Sequence, residues 1–143
     1  MNNEELIKLA IKARENAYAP YSHWKVGAAL LTKDEEVYLG CNIENSAFTG
    51  TSCAERTAIF KAVSEGKKEF KKIAVVGGDE LEGLTGICTP CGVCRQVMSE
   101  FCDPDEFKII CAKSVSEYEE YSLRDLLPNC NYIAANDGYG YKK

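Results

Sequence analysis

Three cysteines in two distant stretches constrain this chain more tightly than any other feature. Cys53 stands in Ser52-Cys53-Ala54-Glu55, and Cys91 and Cys94 stand well downstream in Pro90-Cys91-Gly92-Val93-Cys94. Thiols divided in this way can hold one zinc ion, which requires a fold that brings both stretches to a single point. Zn²⁺ favours four tetrahedral ligands, so three sulfurs leave one position for water; open sites of this kind are catalytic, whereas closed ones are structural. The carboxylate of Glu55 is placed to act on whatever occupies that position.

The 143 residues predict one domain, 1–143, large enough to bury roughly 68–70% of its unfolded surface without staples. The start, Met1-Asn2-Asn3-Glu4-Glu5, lacks a basic region followed by an apolar one. No apolar run approaches the ~20 residues that span a bilayer, so the expected location is the cytoplasm, with no membrane partner. Thiols there are normally kept reduced, which turns the reading of eight cysteines from disulfides toward metal. A net charge of −5 disfavours nucleic acid, which demands a basic footprint. The one basic cluster, Lys67, Lys68, Lys71 and Lys72, reads as a solvated helix end rather than a phosphate patch.

Helices and strands alternate along the chain. Asn2 or Asn3 can cap a first helix with Leu6, Ala10, Ala13 and Ala17 on one stripe, which Pro20 closes. Residues 24–31 and 36–44 read as a hairpin around Lys33-Asp34-Glu35. Ser52 can cap a second helix running to about Glu65, which Gly66 stops. Residues 72–77 form a short apolar strand bounded by Gly77-Gly78, and a third helix can begin at Pro90 or Cys91. Residues 107–112 supply another strand and residues 121–127 a short helix. Such alternation predicts an α/β fold, a sheet flanked by helices.

On these elements Cys53, Cys91 and Cys94 fall in the first turns of two helices, where free N–H groups and the helix dipole stabilise thiolates. Three thiolates give a zinc site one net negative charge, which weakens its power to acidify water. Arg56, one turn beyond Cys53, can return its guanidinium to the sulfurs and offset that charge. Glu55 has a plainer reading as the fourth residue of a capping box started by Ser52. Beside an open metal position, a carboxylate that carries protons is the stronger reading.

The chain resembles the small three-cysteine type of cytidine deaminase over residues 18–101. The residues concerned are Val26-Gly27-Ala28-Ala29-Leu30, Gly40-Cys41-Asn42-Ile43-Glu44-Asn45, Cys53-Ala54-Glu55-Arg56-Thr57-Ala58 and Pro90-Cys91-Gly92-Val93-Cys94-Arg95-Gln96, with a weaker echo at Leu126-Leu127-Pro128. This resemblance implies a three-layer αβα fold around a mixed sheet of about five strands. It implies zinc on Cys53, Cys91 and Cys94 and hydrolysis of cytidine and deoxycytidine to the uracil nucleosides with release of ammonia. Hydroxide on the zinc attacks C4 in such enzymes while the glutamate, here Glu55, shuttles protons. The resemblance further implies nucleoside contacts from Trp24, Asn42, Glu44, Phe48 and Ala54, and a homotetramer with shared active sites. Alternate strand residues face one way, so Asn42 and Glu44 can reach one sugar together.

Three departures bear on the carry-over. Trp24 stands where many members have a phenylalanine, and Phe48 where a tyrosine is common. After Leu126-Leu127-Pro128 the phenylalanine that reaches a neighbouring subunit is replaced by Asn129-Cys130-Asn131-Tyr132, with Tyr132 as a substitute one residue out of register. Cys88 forms its own C-x-x-C with Cys91, so spacing alone does not exclude it as a ligand; the family pattern places it outside the site, with Cys41, Cys102, Cys111 and Cys130 as buried or free thiols. The rivals are a structural zinc module, which needs a fourth protein ligand, a deaminase of single-stranded nucleic acid, which needs a basic groove, and the related deaminase of blasticidin S.

Overall fold

Period-two alternation in three strands builds two cores, one on each face of a sheet. The computed structural model describes residues 1–130 and contains strands β1 (Trp24–Thr32), β2 (Val37–Cys41), β3 (Phe70–Asp79), β4 (Lys108–Ala112) and β5 (Tyr118–Ser122). Their order across the sheet is β2-β1-β3-β4-β5, with every neighbouring pair antiparallel except β3 and β4. Helix α1 (Asn3–Arg14) precedes the sheet, α2 (Ala54–Ser64) joins β2 to β3, α3 (Gly92–Phe101) supplies the crossover that a parallel pair requires, and α4 (Leu123–Leu126) follows β5.

Ala29 and Leu31 of β1, Ala74 and Val76 of β3, and Ile110 and Ala112 of β4 pack with Leu6, Ile7 and Ala10 of α1. Their neighbours Ala28, Leu30, Ile73, Val75, Ile109 and Cys111 turn to the other face, against Ala58 and Ile59 of α2, Met98 of α3 and Leu123. The architecture is the three-layer αβα arrangement around a mixed five-stranded sheet. No described helix is long and apolar enough to cross a membrane.

Two glycines set the distance between layers. A Cβ on Gly27 would lie 2.1 Å from the Ala10 carbonyl oxygen in α1, and a Cβ on Gly40 would lie 2.3 Å from that of Ala54 in α2. Both are backbone contacts that no side chain can accommodate, so each glycine lets one helix lie directly on the sheet.

Several element ends differ from the sequence reading, each for a local reason. Asn2 caps α1 in a capping box with Glu5, but the helix stops at Arg14, leaving Ala17 outside it. There Tyr18 leaves the helical path to exchange backbone bonds with Asn42 and Glu44, at 2.9 Å each. Strand β2 stops at Cys41 because the Asn42 side chain takes over the pairing: its Oδ1 accepts from the Val26 N–H at 2.8 Å and its Nδ2 donates to the Trp24 carbonyl at 2.7 Å. Gly77 and Gly78 lie within β3, paired with Val26 and Lys25, rather than ending it. The helix expected over 121–127 is shorter, Leu123–Leu126, because Tyr121 and Ser122 end the edge strand Tyr118-Glu119-Glu120-Tyr121-Ser122, whose exposed charged residues give no apolar alternation. The lysine cluster is occupied by acids of the β1–β2 turn, with Lys67 on Asp34 and Glu36 and Lys71 on Glu35.

Candidate active site

The two cysteine stretches meet where α2 and α3 begin. Cys53 and Cys91 are the N-cap residues of these helices, both with extended backbone, and neither sulfur bonds to its own helix's free N–H groups. Cys94 lies one turn into α3 and is fully buried. Ser52 therefore does not cap α2, and the capping-box reading of Glu55 fails: Glu55 is the second helical residue, while Ser52 turns its hydroxyl to the Cys53 carbonyl and to Thr57. Pro90 precedes the α3 cap instead of opening the helix.

The three sulfurs lie within 4.8 Å of one another, with 3.6 Å between those of Cys53 and Cys91. Sulfurs on a tetrahedral zinc with bonds of about 2.3 Å stand about 3.8 Å apart, so the donor set fits that ion. No fourth histidine, cysteine or carboxylate ligand joins the group among the described residues. His23, the sole histidine, faces Glu80 at 3.2 Å. All eight cysteines are free of disulfides.

Arg56 closes the cluster from α2, its Nη2 donating to the Cys53 sulfur at 3.2 Å. Burial opposes its charge, yet the Cys53 and Cys94 sulfurs outweigh that and raise its pKa. Its buried Nε has no hydrogen-bond partner among the described residues, so opposite charge is what holds the group there. A hydrogen bond with Cys94 and the Arg56 guanidinium lower the Cys53 thiol to about 5, while the same bond and burial raise Cys94.

Glu55 is 3% exposed, and desolvation raises its carboxyl to about 7, despite a hydrogen bond with Cys94. It is a carboxyl poised to hold or release a proton near neutrality, against the metal cluster. Ala54 is fully buried and opens α2, where its backbone N–H is one of the first-turn amides that the helix itself leaves unpaired.

Other sequence-predicted residues gather on the segment before β1. Glu44 accepts from the Tyr21 and Ser22 N–H groups at 3.0 and 3.1 Å and from the Ser22 hydroxyl, and this pairing holds its pKa low. Trp24 opens β1 and is 44% exposed; Phe48 is 73% exposed, edge-on to Tyr21 at 6.2 Å. Tyr132 and the tail 138–143 lie outside the described residues.

Two residues near the cluster were given no role in the site from sequence, Arg95 because none was drawn for it and Cys88 because the family pattern placed it outside. Arg95 donates to the Pro90 carbonyl at 2.8 Å and to the Leu126 carbonyl at 2.7 Å, bracing the loop that delivers Cys91. Cys88 lies outside the three-sulfur group but close enough to feel the charges of Glu55 and Cys53, and it touches Trp24. The competing C-x-x-C was the only signal for Cys88; Arg95 stood inside the quoted motif without a role.

Residues 1–111 match the family described as the cytidine and deoxycytidylate deaminase zinc-binding region. A cytidine deaminase from Sporosarcina psychrophila is 50% identical over 128 residues, covering 90% of each chain. The chain belongs to the cytidine deaminase family. A solved cytidine deaminase from Burkholderia pseudomallei superposes with a TM-score of 0.83 at 44% identity, covering 92% of this chain and all of the other. A blasticidin-S deaminase from Bacillus cereus is more distant, 37% identical over 109 residues, covering 74% of this chain and 76% of the other. Membership of this zinc-dependent hydrolase family agrees with the three-cysteine cluster and does not favour the blasticidin reading.

Proposed function

We propose that this protein hydrolyses free cytidine and deoxycytidine to uridine and deoxyuridine with release of ammonia, as one domain over residues 1–143 working in the cytoplasm. The observation that carries the reading is the convergence of Cys53, Cys91 and Cys94 without a fourth described ligand, next to the buried carboxyl of Glu55. Zinc held by these sulfurs supplies a Lewis acid that makes water a nucleophile near neutral pH. Glu55 would take the proton released from that water and deliver it to N3 of the ring, then take the proton of the new C4 hydroxyl and hand it to the amine, so that the C4–N bond breaks and ammonia leaves as C4 becomes a carbonyl. Burial matches its carboxyl to this two-way task, because a carboxyl near 7 both accepts and gives protons at working pH. Arg56 offsets the sulfurs' negative charge, and the Ala54 N–H orients the base.

Asn42 and Glu44 hold the sugar hydroxyls, and Trp24 and Phe48 border the base and sugar with aromatic surface. The protein acts as a homotetramer with shared active sites, for which the exposed Tyr21, Phe48, Phe60 and Val93 supply apolar surface. The decisive experiment follows loss of ultraviolet absorbance on cytidine, deoxycytidine, their monophosphates and blasticidin S, with zinc analysis of the same sample. Turnover of the free nucleosides, lost in a folded, zinc-loaded Glu55→Gln variant, is the expected result. Zinc-replete protein that turns over neither nucleoside overturns the reading, and a monomeric mass at assay concentration overturns the tetramer.

A further inference from the structure

Cys88 and Gly77 are spent neither on the metal nor on the proton path, yet both meet Trp24. The Cys88 sulfur lies beside the Trp24 indole N–H, half-buried and within the electrostatic reach of Glu55 and Cys53. Gly77 supplies the room: a Cβ there would lie 2.9 Å from the Cys88 sulfur and 3.2 Å from the Trp24 Nε1. The two atoms thus rest on the same bare patch of β3. Trp24 begins β1, where its own strand constrains the backbone but leaves the ring free to turn about its side-chain torsions.

We propose that Cys88 is a positioning residue for substrate specificity: seated over Gly77, its sulfur fixes the Trp24 indole so that one ring face is held toward the base of the bound nucleoside. The inference rests on the assignment of Trp24 as a base contact. An indole is broader than a single six-membered ring, and a swinging indole would present either an edge or a face. Stacking needs the face, and its strength depends on offset and angle. The sulfur acts on the ring's N–H and so fixes the rotation without occupying the face the base needs. A smaller residue at Cys88 frees the ring, and a larger one at Gly77 pushes the ring or the sulfur out of the seat.

The chain offers a direct readout, because Trp24 is its only tryptophan and thiols quench indole emission. Zinc-loaded Cys88→Ala and the near-isosteric Cys88→Ser are compared with the parent for zinc content, indole emission, and kcat and KM on cytidine. Both variants are expected to keep three-sulfur zinc binding and kcat and to brighten the indole; Cys88→Ala is expected to raise KM about three- to tenfold, the range for an aromatic contact made and lost, and Cys88→Ser, whose hydroxyl still accepts from the indole N–H, to raise it less. In a Trp24→Phe background, Cys88→Ala should add no further change in KM.

Emission and KM at parent values in both Cys88 variants overturn the inference. So does a KM effect of equal size in the Trp24→Phe background, or loss of zinc, which would make Cys88 a ligand. Trp24→Ala separates the underlying assignment: if it leaves KM at the parent value, the base contact falls and the inference with it. If Trp24→Ala raises KM while Cys88→Ala does not, only the inference falls.

Discussion

Gly40→Ala should damage catalysis through a contact that involves no catalytic side chain. The added Cβ would sit 2.3 Å from the Ala54 carbonyl oxygen and 2.5 Å from the Ala58 N–H nitrogen, both backbone atoms of α2. Ordinary contact needs about 3.5 Å, so the first turn of α2 must retreat by about 1 Å. Overpacking of this kind costs about 1–3 kcal/mol, which at this chain length lowers the midpoint of thermal unfolding by about 3–10 °C. The same turn carries Cys53, Glu55 and Arg56, and a 1 Å misplacement of reacting groups costs about 10²-fold in rate.

Gly27→Ala is the matched control. Its Cβ would sit 2.1 Å from the Ala10 carbonyl oxygen and 2.5 Å from the Arg14 nitrogen, so the strain falls on α1, across the sheet from the cluster. Both variants, zinc-loaded, are assayed by thermal unfolding and by initial rate on cytidine at 25 °C, where each is still folded. Gly40→Ala is expected to lose both stability and kcat, Gly27→Ala stability alone. A Gly40→Ala protein with the parent's kcat, or equal kcat losses in the two variants, refutes the link between helix seating and chemistry.

Arg56→Ala should weaken zinc binding about 10–100-fold, measured by competition with a chromophoric chelator, because the sulfurs then lose their compensating charge. Glu55 gives a pH test in metal-free, reduced protein. Its folded pKa of about 7 lies above the ordinary 4.5, so its contribution to stability is full below pH 4.5 and is lost as pH rises through 7. Glu55→Gln should therefore stabilise metal-free protein at pH 8, by an amount of order 3 kcal/mol in denaturant unfolding, and leave it unchanged at pH 4. Equal effects at both pH values would sink that assignment. Burial pushes the Cys111 thiol up to about 12, so peptide mass mapping should find Cys111 unalkylated by iodoacetamide at pH 8 in native protein and alkylated in denaturant.

What could be read from the sequence was what chemistry forces into adjacent positions. Cys53, Glu55, Arg56, Cys91 and Cys94 were legible as candidates from their residue types and spacing, but spacing left Cys88 open as a rival ligand and only the family resemblance set it aside. Gly27 and Gly40 were visible as motif letters, but their reason was not: each answers to a helix far away in sequence, and no local pattern encodes that approach. Strand β5 escaped because an edge strand with Glu119 and Glu120 needs no apolar face to be held by its one neighbour. Cys88 surfaced only as a rival ligand, since its partner Trp24 lies at the far end of another strand.

Register also decides how the proposed sugar and base contacts are related. Asn42 bonds the Trp24 carbonyl and the Val26 N–H, while Glu44 bonds Tyr21 and Ser22, and the Ser22 hydroxyl in turn accepts from the Trp24 N–H at 3.0 Å. The pair proposed for the sugar therefore also fastens the segment that carries the indole. Removing the Asn42 side chain would loosen the backbone on both sides of Trp24 as well as remove a sugar contact. A raised KM in Asn42→Ala would then mix the loosened backbone with the lost sugar contact, whereas indole emission senses only the loosening around Trp24. If Asn42→Ala raises KM with emission unchanged, the loss is confined to the sugar; a shift in emission shows that the base platform has moved too.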